Sequence, residues 1–360
     1  MKIGIIGTRG IPNNYGGFEQ LAEYLSKGLV ERGHQVIVYS THNHSYKESI
    51  WNGVQLIHKY NAEVHLGTFG QFIYDLLCIL DSRRRDFDIV LQLGYTSNSI
   101  WGWLLPSSAR IFTNMDGLEW KRTKYSRLVQ HFLRYAEKLA VKTSDCLISD
   151  SIGIKKYLLD KYNRNSEFIP YGTHEFNAPN IDILTGYGLA PTSYNMLIAR
   201  MEPENNIETI LNGVVGSLSE RKFLVIGNCK TNTFGRHLLS KFSNDQRIYF
   251  LGAIYDIEIL NNLRYFSNIY FHGHSVGGTN PSLLEAMASN SLICAHQNPF
   301  NESVLGREAF YFSSSIDVSK IIDSSVDKNA STFMTRNLMK VRDSYSWDKI
   351  VSDYENLFTS

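Results

Sequence analysis

Short runs of consecutive apolar residues alternate with helix-length segments along almost the whole chain, and no other feature restricts the fold as much. K-I-G-I-I-G (2–7) is followed by a helical pattern from Gly17 to about Arg32, and then by Q-V-I-V-Y-S (35–40). Unbroken runs of this kind suit strands buried on both faces, as in parallel sheets crossed over by helices. Further runs at 54–59, 88–94, 110–115, 145–150 and 166–170 continue the pattern. It breaks at T-H-E-F-N-A-P-N (173–180), where Pro179 and its polar neighbours read as a linker. It restarts at 195–200 and runs on through 223–227, 247–252, 268–273 and 291–295. This predicts an α/β protein with two Rossmann-like, doubly wound parallel-sheet domains, over 1–178 and 179–345, which 360 residues accommodate at roughly 100 to 200 residues each. In the tail, Trp347, Ile350, Val351, Tyr354 and Phe358 are spaced by three and four. That periodicity predicts a closing amphipathic helix over 346–360, set on the second domain or crossing back to the first.

Bulk composition removes several function classes. Lys and Arg total 36 against 35 Asp and Glu, a net charge of +1 that argues against a nucleic-acid partner. The four cysteines, Cys78, Cys146, Cys229 and Cys294, form no C-x-x-C pair, which speaks against a disulfide framework or a zinc knuckle and fits a reducing compartment. Met1-Lys2 leads straight into a strand-like run, and no apolar stretch reaches about 18 residues, so the expectation is a cytoplasmic protein without a membrane span. Charge is nevertheless uneven. Between Arg110 and Arg164 there are 12 basic and 6 acidic residues, and Lys121, Arg122, Lys124 and Arg127 form a cluster. Such a cluster is either a solvated face or a contact for an anionic membrane or a phosphate-bearing acceptor.

Two Rossmann-like halves suggest a nucleotide ligand. A dinucleotide cofactor fails on spacing, because the glycines after the first strand are Gly4, Gly7 and Gly10 and the second strand ends Val38-Tyr39-Ser40 without an acid for a ribose. Gly16-Gly17 instead opens the first helix, where bare backbone N–H groups admit a phosphate or simply make a turn. The most informative segment is F-H-G-H-S-V-G-G-T-N-P-S-L-L-E-A-M-A (271–288). Asn280 is a good N-cap and Pro281 a good first helical residue, while Gly277 and Gly278 let the loop approach a ligand. The N–H groups of Thr279, Asn280 and Ser282 then face a diphosphate, and Glu285, one turn in, is placed for sugar hydroxyls. Arg200 in A-R-M-E-P-E-N-N (199–206) leaves a strand at the edge where ligands of open sheets bind; it either forks onto phosphate or pairs with Glu202 or Glu204. N-M-D-G-L-E-W-K-R (114–122) offers two carboxylates beyond a strand, Asp116 and Glu119, for acid–base work or, for Asp116, an Asx turn. Asp86-Phe87-Asp88 mimics a metal-binding D-x-D but precedes its strand, and no other ligand cluster is apparent, so no bound metal is expected.

Taken in order, G-G-F-E, R-x-E-P-E-N, G-G-T-N-P-S-L-L-E-A-M and the closing S-W helix resemble family-4 retaining glycosyltransferases of the GT-B fold. G-T-R-G-I-P-x-x-Y-G-G-F-E, D-G-L-E-W-K-R and H-G-H-S-V-G-G-T-N-P-S are more similar still to the bacterial rhamnosyltransferase branch that builds surface polysaccharides. The resemblance covers essentially the full chain. It implies domains facing an interdomain crevice, an acceptor-binding first domain and a nucleotide-sugar-binding second one, with no cofactor. Gly16 and Gly17 match donor-contacting glycines, Arg200 matches the arginine that neutralises the diphosphate, and Glu285 matches the ribose-binding glutamate. Asp116 falls where the family carries a His or Asp near the reacting sugar, with Glu119 as second choice. Two positions depart from the pattern. Gly277 replaces the first glutamate of the E-x7-E pair, and Asn205, counted here among the donor contacts, replaces the lysine five residues after the arginine. Lys230, His272 and His274 are the candidates to supply the missing positive charge. The implied reaction is front-face transfer with retention, from dTDP-L-rhamnose to a polyprenyl-diphosphate-linked saccharide at the inner face of the cell membrane. A UDP- or GDP-hexose donor and a catalytically silent nucleotide-sugar-binding protein are the alternatives.

Overall fold

Apolar side chains on consecutive strand positions point to both faces of a sheet, so each such strand must be covered on both sides. The computed structural model describes residues 1–14, 16–115, 117–122, 125–324, 328 and 332–360. These fall into two units, residues 1–172 together with 347–360, and residues 173–346.

The first unit contains β1 (Lys2–Ile6), α1 (Gly17–Glu31), β2 (Gln35–Thr41), β3 (Ile50–Trp51), β4 (Val54–Lys59), α2 (Glu63–Leu66), α3 (Phe69–Ser82), β5 (Ile89–Leu93), β6 (Arg110–Asn114), α4 (Arg127–Thr143), β7 (Cys146–Ser149), α5 (Ile152–Tyr162) and β8 (Glu167–Phe168). Its strands lie in the order β3-β4-β2-β1-β5-β6-β7-β8. All neighbours are parallel except β3 and β4, which form a short antiparallel hairpin around Asn52-Gly53. β3 is an addition to the predicted strands, whereas β4 is the run read at 54–59. Ile6, Tyr39, Tyr74, Ile79 and Val90 pack one core layer. The winding reverses between β1 and β5, so the carboxyl ends of these two strands mark the ligand edge of this unit.

The second unit runs α6 (Asp182–Thr185), β9 (Tyr194–Ile198), α7 (Ile207–Gly216), β10 (Lys222–Ile226), α8 (Thr233–Phe242), β11 (Ile248–Gly252), α9 (Ile257–Phe266), β12 (Tyr270–His272), α10 (Pro281–Ala288), β13 (Ile293–His296), α11 (Pro299–Leu305), β14 (Phe310–Phe312), α12 (Ser315–Asp323) and α13 (Phe333–Lys340). The all-parallel order β11-β10-β9-β12-β13-β14 reverses between β9 and β12. Leu197, Ile210, Phe223, Phe271 and Leu292 lie in its core. The stretch 173–180, read above as a linker, is tied into this unit. Thr173 N–H donates to Tyr345 O (2.7 Å), Phe176 N–H to Ala288 O (3.1 Å) and Asn180 N–H to Asn262 Oδ1 (2.6 Å).

The closing helix α14 (Trp347–Thr359) belongs to the first unit. Trp347 stacks on Tyr24 with ring centroids 4.5 Å apart, Phe358 meets Phe112 edge-on at 5.0 Å, and Arg32 donates to Asp348 (2.8 Å) and Glu355 (2.9 Å). Its apolar stripe is thus spent on packing. No described helix is long and apolar enough to cross a membrane.

Candidate functional site

At the switch point of the second unit, the chain leaves β9 through Ala199-Arg200-Met201 and leaves β12 through Gly273-His274. The two turns are laced together. Asn205 Nδ2 donates to Arg200 O (2.7 Å) and Asn206 Nδ2 to Gly273 O (2.8 Å), while Ser275 N–H donates to Glu204 O (3.0 Å). Since the Asn205 amide nitrogen is fixed by a carbonyl, its Oδ1 faces His274 Nδ1 at 2.9 Å, and that ring nitrogen carries the hydrogen. Asn205, expected among the donor contacts, therefore spends both polar atoms on holding Arg200 and His274 in place. Arg200 itself is exposed, and its guanidinium makes no hydrogen bond or ion pair among the described residues. The pairing with Glu202 or Glu204 that would make it merely structural is not formed.

The loop after His274 passes over the ring: Gly277 has φ 127°, and a Cβ placed there would lie 3.2 Å from His274 Nε2. Only glycine adopts this conformation without strain. Asn280 caps α10 by accepting the Ser282 N–H (2.9 Å), so this N–H is not open to a ligand, contrary to the expectation for Ser282. Ser282 Oγ is likewise occupied, by Tyr270 OH (2.9 Å) and Arg264 Nη2 (3.2 Å). The N–H groups of Gly278 and Asn280 have no partner among the described residues, and Thr279 is buried beside them. Glu285 faces Arg264, whose Nη2 lies 2.5 Å from Oε2. Nothing in the sequence pattern singled out Arg264, which sits 21 residues earlier near the end of α9.

The proposed auxiliary cations separate. Lys230 is exposed in the loop after β10, and Asn232 of that loop donates to Met201 O (2.6 Å), beside Arg200. His272 is buried on β12, and desolvation, reinforced by His274 and Arg264, drives its pKa well below 6.5. It is neutral and supplies no charge to a diphosphate. Among the described residues no three His, Cys, Asp or Glu side chains converge as a metal site would require.

In the first unit the loop between β1 and α1 is gathered by Glu19, the acid of G-G-F-E, which accepts from Arg9 N–H (2.8 Å) and Thr8 Oγ1 (3.2 Å). Gly16 caps α1 without a side-chain bond, so the cap residue itself leaves the N–H groups of Gly17 and its first-turn neighbours uncovered. Glu119 is buried and paired with Arg122 (2.7 Å). Arg122 thus points into the protein, not out toward a membrane as the cluster reading held. Asp116 and Lys124 lie outside the described residues. Lys121 and Arg127 are exposed. The turn that carries Trp120 is clamped by Glu137, a buried carboxylate that accepts from Trp120 Nε1 (3.1 Å), Tyr157 OH (2.7 Å), Lys161 Nζ (2.8 Å) and Tyr162 OH (2.6 Å). Leu128 is 84% exposed, Phe132 packs edge-on against Phe72 at 5.6 Å, and Leu133 is buried in the core.

Comparison with known proteins agrees with this architecture. A family model described as a domain of unknown function, DUF1972, matches residues 105–174, the segment that holds Glu119, Arg122 and Glu137. No curated protein matches the chain in sequence. Solved structures with the same fold include sucrose-phosphate synthase from Thermosynechococcus elongatus, 16% identical over 99% of this chain and 98% of that one, with a TM-score of 0.84. HepE from Anabaena in complex with UDP-glucose is 13% identical over 100% of both chains, with a TM-score of 0.77. A glycosyltransferase from Rickettsia africae is 15% identical over 99% of this chain and 97% of that one, with a TM-score of 0.70. The two parallel-sheet units of this protein have the GT-B glycosyltransferase fold.

Proposed function

We propose that this protein is a metal-independent, retaining glycosyltransferase that moves a sugar from a nucleotide donor held by the second unit. Arg200 carries the reading: its guanidinium is exposed and without a partner among the described residues, and its backbone carbonyl is tied to Asn205 beside His274 at the switch point, which supports a fork that holds a diphosphate. Gly278 and Asn280 add N–H groups at the start of α10, Lys230 adds charge from the loop after β10, and Glu285 meets the nucleoside sugar. Asp116 orients the acceptor hydroxyl or helps to deprotonate it, and the departing phosphate on the front face helps take that one proton. HepE, a solved relative in fold, was captured with UDP-glucose, which supports a nucleotide-sugar donor.

Within that class, the sequence resemblance favours dTDP-L-rhamnose as donor and a polyprenyl-diphosphate-linked saccharide as acceptor, met at an anionic membrane surface in the cytoplasm. Exposed Trp103 and Leu128, with Lys121 and Arg127, support a peripheral contact of the first unit. The test is a donor screen in which purified protein receives dTDP-L-rhamnose, UDP-glucose, UDP-GlcNAc and GDP-mannose with a lipid-linked acceptor. Product from dTDP-L-rhamnose with the anomeric configuration kept supports the full reading. Product from another donor corrects the sugar, and an absence of nucleoside diphosphate from every donor, hydrolysis included, leaves a silent binding protein.

A further inference from the structure

Arg264 is 1% exposed, the largest of the fully buried side chains described. A guanidinium does not lose its proton, so its burial requires a fixed anion. Glu285 is that anion, with Oε2 at 2.5 Å from Nη2. Nη2 also reaches Ser282 Oγ (3.2 Å) and Nη1 donates to Asn261 Oδ1 (2.9 Å), Tyr270 OH closes on Ser282 Oγ at 2.9 Å, and Nε is buried with no partner among the described residues. These contacts fix which carboxylate oxygen turns inward. The other, Oε1, has no partner among the described residues, and the side chain keeps 19% exposure. Glu285 therefore presents one oxygen outward from α10.

We propose that Arg264 makes Glu285 a one-oxygen reader of the nucleoside sugar, so that the protein does not select for a 2′-hydroxyl and takes 2′-deoxynucleoside diphosphates as readily as ribonucleoside diphosphates. The inference rests on the nucleotide-sugar reading given above. A vicinal diol is matched by two carboxylate oxygens, one for each hydroxyl. With Oε2 turned inward onto a charged donor, both hydroxyls of a diol face Oε1 alone: one takes a well-aligned bond, and the second must share the same oxygen in a poorer, three-centre geometry. A 2′-deoxy sugar keeps its 3′-hydroxyl and loses nothing that this site uses.

Titration calorimetry of the full chain with UDP and dUDP, which differ only in that hydroxyl, decides the matter. A dissociation-constant ratio below about threefold is expected, whereas a net hydrogen bond to a charged acceptor would give on the order of tenfold, and any ratio above about threefold overturns the inference. If neither nucleotide binds, the donor reading itself fails and takes the inference with it, a result unlike a measurable preference for UDP. Arg264→Gln, checked for folding by circular dichroism, frees Oε2 and is expected to raise the ratio toward about tenfold. An unchanged ratio in that variant overturns the role given to Arg264. Where it does not fold, Arg264→Met, which also removes the charged donor from Oε2 but keeps an apolar side chain in the buried site, makes the same comparison.

Discussion

Gly273→Ala tests the site through a single methyl group. Gly273 follows β12, and a Cβ there would lie 1.9 Å from Asn205 O and 3.1 Å from Ile210 Cδ1, against a floor of 3.0 Å for ordinary Cβ contacts. One of the two backbones must retreat by about 1.1 Å, the difference between 3.0 and 1.9 Å. Neither can do so alone, because Asn206 donates to Gly273 O (2.8 Å) and Asn205 bridges Arg200 O (2.7 Å) and His274 (2.9 Å). The shift is therefore passed to Arg200 and His274, the residues proposed to meet the donor. Overpacking of this size costs about 1–3 kcal/mol, which a two-unit protein survives. Misplacing reacting groups by about 1 Å costs on the order of 100-fold in turnover. The assay is kcat/KM for nucleoside diphosphate release, with circular dichroism and a urea midpoint alongside. Gly216→Ala is the control, since its Cβ meets nothing within 4 Å, and it should leave turnover unchanged. A folded Gly273→Ala variant with wild-type turnover would refute the assignment of this switch point as the donor site.

The remaining predictions concern single groups. Arg200→Ala should keep the fold and lose about 100- to 1000-fold in donor turnover, with Arg200→Lys recovering part; full activity of the alanine variant at saturating donor rejects the diphosphate role. Glu285→Gln should chiefly weaken nucleotide binding, whereas Asp116→Asn should spare binding and depress transfer, and equal losses of affinity would show that Asp116 is misassigned. Because His272 stays neutral when folded, below about pH 6.5 the unfolded chain takes up a proton that the folded chain does not, so its stability falls as pH falls, by up to about 1.4 kcal/mol per unit. Urea midpoints at about pH 7.5 and 5.5 should show a smaller drop for His272→Gln than for wild type, and equal drops refute the cause. Lys121→Ser with Arg127→Ser should weaken salt-sensitive co-sedimentation with anionic liposomes; an undiminished pellet makes these residues a solvated face.

The sheets were legible because both-face burial writes itself into consecutive apolar residues: β4 spans Val54–Lys59, the run read at 54–59, and β11 lies within the run at 247–252. The two-residue β3 and the three-residue β14 were not read, whereas the equally short β8 and β12 were, because they lie inside longer runs at 166–170 and 268–273. The hairpin had a local signal all the same, since Asn52-Gly53 takes φ 45° and 81° in the turn that this pair favours. At the site, Arg200 could be read from its place at a strand end. Arg264 could not, because an arginine near the end of a helix looks like an ordinary dipole-complementing, solvated residue until the fold buries it against Glu285. The same limit applies to Arg122, which a count of charges assigns to a basic face and the fold turns onto Glu119.

The two positions at which this chain departs from the family pattern it resembles meet at one imidazole. Asn205 stands where a lysine was expected and Gly277 where a glutamate was expected, and each lies against His274: Asn205 Oδ1 is 2.9 Å from Nδ1, and a Cβ on Gly277 would sit 3.2 Å from Nε2. A lysine at 205 has no acceptor for the Nδ1 hydrogen, and its ammonium would face the ring in place of an oxygen. A glutamate at 277 would strain a backbone at φ 127° and crowd the opposite edge of the same ring. Either side chain alone would disturb His274, so the departures are best understood as one linked change that gives the turn between β12 and α10 a histidine oriented by Asn205 and given room by Gly277.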